Sequence, residues 1–294
     1  MRYSGHRRVR RGFTIIELLV GIVLFGIVGA LFTKLLTTQG RFFDRQGLSN
    51  AARNVSRSSL NRVVSDFRMI EATGGVVAAS PTSLTIRIPF AIGVMCGTTA
   101  GATVTQITLL PVDSTTYANA TSVATGGVYG YAWRNFTTGV YFYVEPATEA
   151  DGDPAVCTAK NVTTVTKGKV VQVSPVLPVG AGLGTPVFLY QKIRYEFKAS
   201  TAVPGKLGLY RTVMAPNGGE SSEELVAPFA NTAGWKFFVV NGGSVAQAAA
   251  PATLSDIRGL ELHLDGTSES IAVTRTTAET APFTTAVFFK NRTN

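Results

Sequence analysis

The chain has 294 residues, 45% of them apolar and 10% aromatic, which is enough apolar material for one large or two modest packed domains and excludes a disordered polymer. Its formal charge of +9 comes from 27 basic against 18 acidic residues, but five of the basic ones, Arg2, Arg7, Arg8, Arg10 and Arg11, precede Gly12 with no acid among them. The rest of the chain is only mildly basic, so bulk charge gives no argument for binding nucleic acid.

After Gly12 this basic leader gives way to a mostly apolar stretch, Phe13 to Thr33, interrupted by one acid, Glu17. At ~1.5 Å rise per residue, a helix of that length is just long enough for a ~30 Å hydrocarbon core. An acid at mid-bilayer costs roughly 2.5–3.5 kcal/mol on insertion scales, so Glu17 needs a place near the interface or a partner. A simple signal anchor fits the apolar run but has no use for Glu17. A secretory signal peptide cut after Val28-Gly29-Ala30 is the other alternative, and against it stand the internal acid and the helical character beyond residue 30. Gly21, Gly26 and Gly29 would allow close helix approach, which is weak evidence because glycine is common in spans.

Residues 41–71 predict an amphipathic helix. On a 100° wheel Leu48, Ala52, Val55, Val63, Phe67 and Ile70 gather on one side with Leu60 at the margin, while Arg53, Arg57 and Arg68 fall opposite. Gly40 and Gly47 each cost ~1 kcal/mol relative to Ala and mark a pliable junction, and Gly74-Gly75 ends the helix. The organisation is a leader 1–12, a membrane or filament-core helix 13–36, an amphipathic helix 37–73 and a β-rich globular domain 74–294.

Beyond residue 75 the apolar period becomes two. Leu84, Ile86 and Ile88 alternate with Thr85 and Arg87, and Val187, Leu189, Ile193, Tyr195 and Phe197 alternate against Lys192, Arg194 and Glu196, as half-buried strands do. Further strands are predicted at 103–110, 128–134, 139–145, 169–174, 207–213, 235–240, 257–264, 271–275 and 283–289. Apolar parity switches across Gly259, the mark of a β-bulge. The runs 113–127 and 241–252 read as surface loops. The expected fold class is α+β: one long N-terminal helix packed on a mainly antiparallel β-sheet domain.

Sites for chemistry are sparse. Beyond the leader the only histidine is His263, on the strand face opposite Leu262 and Leu264, so a Ser-His-Asp or His-rich metal site would hang on that one residue. Cys96 and Cys157 belong to no CxxC, and no phosphate-binding loop or GxGxxG is present. An oxidising compartment would favour pairing the two cysteines, with two separate buried thiols as the alternative. Glu149, Asp151 and Asp153 surround Gly152 and form a weak oxygen-ligand candidate, against the alternative of a solvated acidic turn. No enzyme activity, metal or cofactor is expected. The arginine side of 41–68 reads as solvated or subunit-facing rather than as a nucleic-acid surface.

The junction Arg11-Gly12-Phe13-Thr14-Ile15-Ile16-Glu17 resembles the class III leader of the type IV pilin superfamily. The resemblance implies that a prepilin peptidase cuts between Gly12 and Phe13, that Phe13 becomes N-methylated, and that Glu17 is the assembly acid. It is physically consistent, since a neighbouring subunit's ammonium could neutralise Glu17 in low dielectric. It also implies an inner-membrane span with the N-terminus cytoplasmic and the C-terminal domain periplasmic. The implied partners are other pilin subunits, the peptidase, an assembly platform and the lipid bilayer.

A less specific likeness, to W-type minor pilins and J-type pseudopilins of type II secretion, rests on Ile193-Arg194-Tyr195-Glu196-Phe197, Leu207 to Arg211, Glu224-Leu225-Val226, Trp235 to Phe238, Ile257 to Leu262 and Phe283 to Asn291. It implies a structural subunit near a filament tip but beneath another subunit, because the extreme tip subunit tends to lack the acid. A filament-tip binding module is the alternative. The Lys290-Asn291 ending departs slightly from those families, and the lack of proline in Phe13–Ile70 departs from major pilins.

Overall fold

A computed structural model describes residues 14–71, 73–98, 103–112, 114–122, 127–135, 137–164, 168–178, 180–240, 242–272 and 275–289. The first element is a single unbroken helix, α1 (Ile15–Arg68), about 80 Å long at 1.5 Å per residue. It runs through Gly40 and Gly47 without a break, so the cost of those glycines does not interrupt it. It stops at Met69, before the expected Gly74-Gly75, and Gly74 turns the chain with a left-handed φ of +84°.

Among the described residues fifteen strands, two short α-helices and one 3-10 turn (Leu254–Asp256) follow: β1 (Val76–Ala79), β2 (Ser83–Thr98), β3 (Thr105–Leu109), α2 (Ser114–Thr121), β4 (Gly130–Arg134), β5 (Tyr141–Val144), β6 (Thr148–Asp151), α3 (Pro154–Ala159), β7 (Val170–Ser174), β8 (Pro186–Ala199), β9 (Leu207–Met214), β10 (Glu220–Phe229), β11 (Gly234–Val239), β12 (Ile257–His263), β13 (Gly266–Thr267), β14 (Thr280–Ala281) and β15 (Thr284–Phe288). Among the described residues every strand pairing is antiparallel. Twelve strands form one sheet and β11-β12-β15 a second. The fold is thus a long N-terminal helix followed by a mainly antiparallel β-sheet domain.

The large sheet is organised on the β2/β8 ribbon, paired from Ser83↔Glu196 to Val94↔Pro186. The other edge of β8 is shared: β9 takes Lys192–Ala199 and β4 takes Val187–Tyr190. Two lobes result. The first carries β1, β9, β10, β13 and β14; the second carries β3 to β7. The register of β2 shifts between Pro89 and Ala91. Proline cannot donate to a ladder, and one extra residue changes which parity faces the core, so Ile86 and Ile88 before the bulge and Ala91 and Met95 after it are all buried. The predicted strand at 84–88 is the first half of this longer strand, cut short where the alternation changes.

Each lobe has its own core. The first packs Val63, Phe67 and Ile70 from the helix end against Ile193, Tyr195, Phe229, Trp235 and Leu262. The second gathers Ile107, Leu109, Tyr131, Trp133, Val171 and Leu189 and contains no α1 residue. The seam is tied by charge: Glu145, just after β5, pairs at 2.8 Å with Arg87 on β2 and at 3.3 Å with Lys192 on β8. Burial pushes the Glu145 carboxyl up, but the Arg87 hydrogen bonds and the Lys192 charge outweigh this and hold it below its ordinary value.

Three expectations are corrected. The run 113–127 is not simply a surface loop, because it contains α2, whose Tyr117 and Ala120 are buried under the second lobe. Residues 271, 272 and 275 lie in no strand, and 273–274 fall outside the described residues. The strands β1, β6, β10, β13 and β14 lie outside the predicted ones; β10 begins with the polar run Glu220-Ser221-Ser222-Glu223-Glu224, which has no apolar alternation because that end is exposed. The bulge expected near Gly259 is present, since Phe238 pairs with Gly259 and Val239 with Ile257, leaving Arg258 as the extra residue.

Candidate functional site: the amino-terminal helix

α1 has two environments along one axis. Every described residue from Thr14 to Gly47 is exposed, including Ile15, Ile22, Phe25, Leu31, Phe32, Phe42 and Phe43. The domain meets the end of this half, where Arg45 lies 3.5 Å from Glu279, but leaves its apolar residues exposed, and the helix is long and apolar enough to cross a membrane. Its hydroxyls are satisfied internally: Thr33 donates to the Gly29 carbonyl at 2.9 Å and Thr38 to the Lys34 carbonyl at 2.7 Å. That back-bonding lets a polar side chain sit in an apolar medium without an unpaired donor.

The helix start is built by Thr14 and Glu17. Thr14 Oγ1 accepts from the Glu17 N–H at 3.3 Å, and the Glu17 carboxylate accepts from the Thr14 N–H at 3.5 Å, a capping box. Such caps contribute ~1 kcal/mol, and an acid in the first turn is also favoured by the helix dipole. The Thr-x-x-Glu spacing is the sequence signal for this cap, which the reading of Glu17 by its charge alone does not use. Gly12 and Phe13 lie outside the described residues. Gly21, Gly26 and Gly29 have open space where a Cβ would stand, so this surface is free for close approach.

The second half is seated on the first lobe. Ala52, Ser56, Ser59, Val63 and Phe67 are buried, while Arg53, Arg57 and Arg68 are exposed on the opposite side. The Phe67 ring meets Tyr195 and Trp235 edge-on at 5.2 and 5.6 Å. Asp66 accepts from the Tyr195 hydroxyl and lies 3.7 Å from Arg211. Burial, then the Asp66 carboxylate, pushes the Tyr195 hydroxyl far above its ordinary range, so it remains a donor. Two polar residues on the buried side were missed by the apolar pattern. Ser59 bonds back to its own helix, and Ser56 Oγ accepts from the Gly266 N–H at 3.0 Å. The small side chains of Ala52 and Ser56 let Gly266 of β13 approach the helix backbone.

The remaining candidates are held apart. Cys96 and Cys157 are joined by a disulfide, clipping α3 to β2. Asp151 pairs with Lys169 at 2.8 Å, and the Lys169 ammonium holds its carboxyl below the ordinary value. Asp153 instead caps α3, accepting from the Ala155 N–H at 2.9 Å, and Glu149 accepts from the Tyr117 hydroxyl. Glu149 and Asp151 thus share the Lys169 ammonium, at 3.9 and 2.8 Å, while Asp153 is turned to the α3 cap, and no metal-binding group of His, Cys, Asp and Glu occurs among the described residues. His263 contacts Glu261 through Nε2 and Thr284 through Nδ1. Among the described residues neither ring nitrogen is hydrogen-bonded to a serine or an aspartate.

Comparison with known families matches residues 7–33 to the family described as the prokaryotic N-terminal methylation motif. Comparison with curated proteins and with solved structures gives no match. The matched segment contains Gly12, Phe13 and Glu17 and ends inside the exposed half of α1. The chain therefore carries a class III prepilin leader joined to a long apolar helix, the arrangement of a type IV pilin-like protein.

Proposed function

We propose that this chain is a minor pilin or pseudopilin, cut between Gly12 and Phe13, methylated on Phe13 and assembled through α1 into a type IV pilus or type II secretion pseudopilus, near the tip but beneath another subunit. Before assembly it spans the inner membrane with its domain on the periplasmic side. Its partners are the prepilin peptidase, the assembly platform and other subunits, and it acts by packing rather than catalysis. The observation that carries this reading is the division of α1: one half is seated on the domain, while the other exposes apolar residues from Ile15 to Phe43 behind the methylation motif. In the isolated chain the Glu17 carboxylate caps its own helix; in the filament it would neutralise the ammonium of a neighbour's Phe13, removing the cost of a lone buried charge.

Glu17→Gln separates these two roles, because Gln preserves a capping box but carries no charge. N-terminal mass spectrometry should find methylated Phe13 in both parent and variant, while the variant's incorporation into assembled complexes falls. Equal incorporation of the two would remove the charge role, and a terminus at Leu31 or an uncut Met1 would sink the processing step. A second reading, a binding module at the filament tip, is favoured by the second lobe, whose core is independent of α1. It predicts surface changes on that lobe that abolish a contact without altering incorporation.

A further inference from the structure

The side of α1 that turns away from the domain is unlike an ordinary solvated helix face. Asn50, Arg53, Asn54, Arg57, Asn61 and Arg68 are all exposed there, and on a 100° wheel they fall within about 100° of one another, opposite the buried Ala52, Ser59 and Val63. Residues 45–65 contain no acid. A solvated helix face ordinarily mixes both signs, because opposite charges at i, i+4 stabilise it and like charges destabilise it. Here Arg53 and Arg57 form a like pair at that spacing. Among the described residues neither they nor Arg68 have an ion pair or a side-chain hydrogen bond. Elsewhere in the fold arginines are matched: Arg45 lies with Glu279, Arg87 with Glu145 and Arg194 with Glu220.

The chemistry and position of this ridge restrict what can cover it. A guanidinium presents a planar fork of donors that fits a carboxylate or a phosphate, and the asparagines between add neutral donors and acceptors. A bilayer holding the first half of α1 cannot reach it. At 1.5 Å per residue Arg53 stands ~25 Å and Arg68 ~48 Å beyond Leu36 along the axis, past a head-group layer of about 5–8 Å and a screening length of about 8–10 Å. A nucleic acid strand would find no ring to stack on, since residues 48–66 include no aromatic.

A second copy of this chain is also a poor match, because its own carboxylates are engaged. Among the described acids, all but Asp44, Glu223, Asp256 and Glu269 have an interaction within the chain. Those four stand on α1, on β10, at the 3-10 turn and in the β13–β14 connection, so they form no row that could face a straight ridge ~22 Å long from Arg53 to Arg68.

We propose that the Arg53–Arg57–Arg68 ridge is the contact for a different protein subunit, one that presents a row of Asp or Glu side chains along α1. This rests on the reading of α1 as the assembly helix and adds the partner's chemistry to it. The ridge continues the exposed half of the same unbroken helix, so a subunit packed beside Ile15 to Phe43 lies alongside it. Its carboxylates would relieve the Arg53–Arg57 repulsion and disfavour a like copy in that position, which makes the contact selective for an unlike neighbour.

The test uses the full chain in native membranes. Arg57→Lys keeps the charge and supplies an amine that a carbodiimide can couple: the reagent activates a carboxylate, the amine displaces it as a urea, and an amide forms. An intermolecular amide at position 57 should exceed that from Asn217→Lys, in the exposed β9–β10 turn, by about tenfold. Mass spectrometry of the joined fragments should place the other end on an Asp or Glu of an unlike subunit in the same complex. Arg53→Glu combined with Arg57→Glu should lower incorporation into that complex about tenfold by setting like charges together. Its unfolding midpoint in detergent should hold, since neither side chain touches a domain group by ion pair or hydrogen bond. Full incorporation of the double variant, no excess over Asn217→Lys, or an amide only to an acid of a second copy would overturn the proposal. So would loss of the amide on nuclease treatment, which would assign the ridge to nucleic acid. A parent chain that joins no complex at all would refute the assembly reading of α1 itself, and the proposal with it.

Discussion

Replacing Gly266 by Ala tests whether the amphipathic half of α1 is seated by backbone contact. An added Cβ at Gly266 would stand 2.2 Å from the Ala52 carbonyl oxygen and 2.7 Å from Ser56 Oγ. The nearer atom is helix backbone, which yields only if the helix moves, and reaching ordinary carbon–oxygen contact needs a shift of about 1 Å. Overpacking of this kind costs ~1–3 kcal/mol. The same shift stretches the 3.0 Å bond from the Gly266 N–H to Ser56, and a stranded buried donor costs a further ~1–3 kcal/mol. We expect a net destabilisation of about 3 kcal/mol, below the sum of the upper figures because one displacement causes both losses. The assay is urea unfolding of the full chain in detergent, followed by tryptophan fluorescence. Trp235 packs on Phe67 in the core that the helix seals, whereas Trp133 lies in the other core. With a slope of ~2 kcal/mol/M, the midpoint should fall by about 1.5 M at constant slope. Ser56→Ala, which strands the same N–H without a clash, should fall by about half as much. A Gly266→Ala midpoint within ~0.3 M of the parent would refute the close-contact argument.

Two further outcomes are expected. Unfolded, unreduced protein should show no titratable thiol, and reduction should lower the stability of the second lobe by up to ~4 kcal/mol, since Cys96 and Cys157 close a loop of 61 residues; two reactive thiols per chain would contradict the pairing. Burial pushes the Glu224 carboxyl up, but hydrogen bonds from Ser200, Thr201 and Tyr210 prevail and hold it at about 2, against an ordinary value near 4.5. A depressed folded value stabilises above the unfolded one, so this contribution should be complete above pH 4.5 and lost as pH falls toward 2. Glu224→Gln should flatten that part of the stability profile, and an unchanged acid limb in the variant would count against it.

The leader was legible through its resemblance to a prepilin junction, while local physics was enough to read the apolar first half and the amphipathic second half of α1. The Gly12-Phe13 junction and Glu17 are contiguous signals, and Val63, Phe67 and Ile70 recur at helical spacing because burial selects them. Strand periodicity likewise located most of the sheet, including the bulge at Arg258. What sequence could not supply was anything set by meetings between distant segments. Ser56 is a buried serine because Gly266, more than two hundred residues away, comes too close for a larger side chain. β10 is a strand because β9 pairs with it, although its exposed end has no apolar pattern. The division into two lobes follows from β8 offering one edge to both β9 and β4. Periodicity reports which side of an element is covered, whereas tertiary structure alone decides what covers it and which backbone edges are left unpaired.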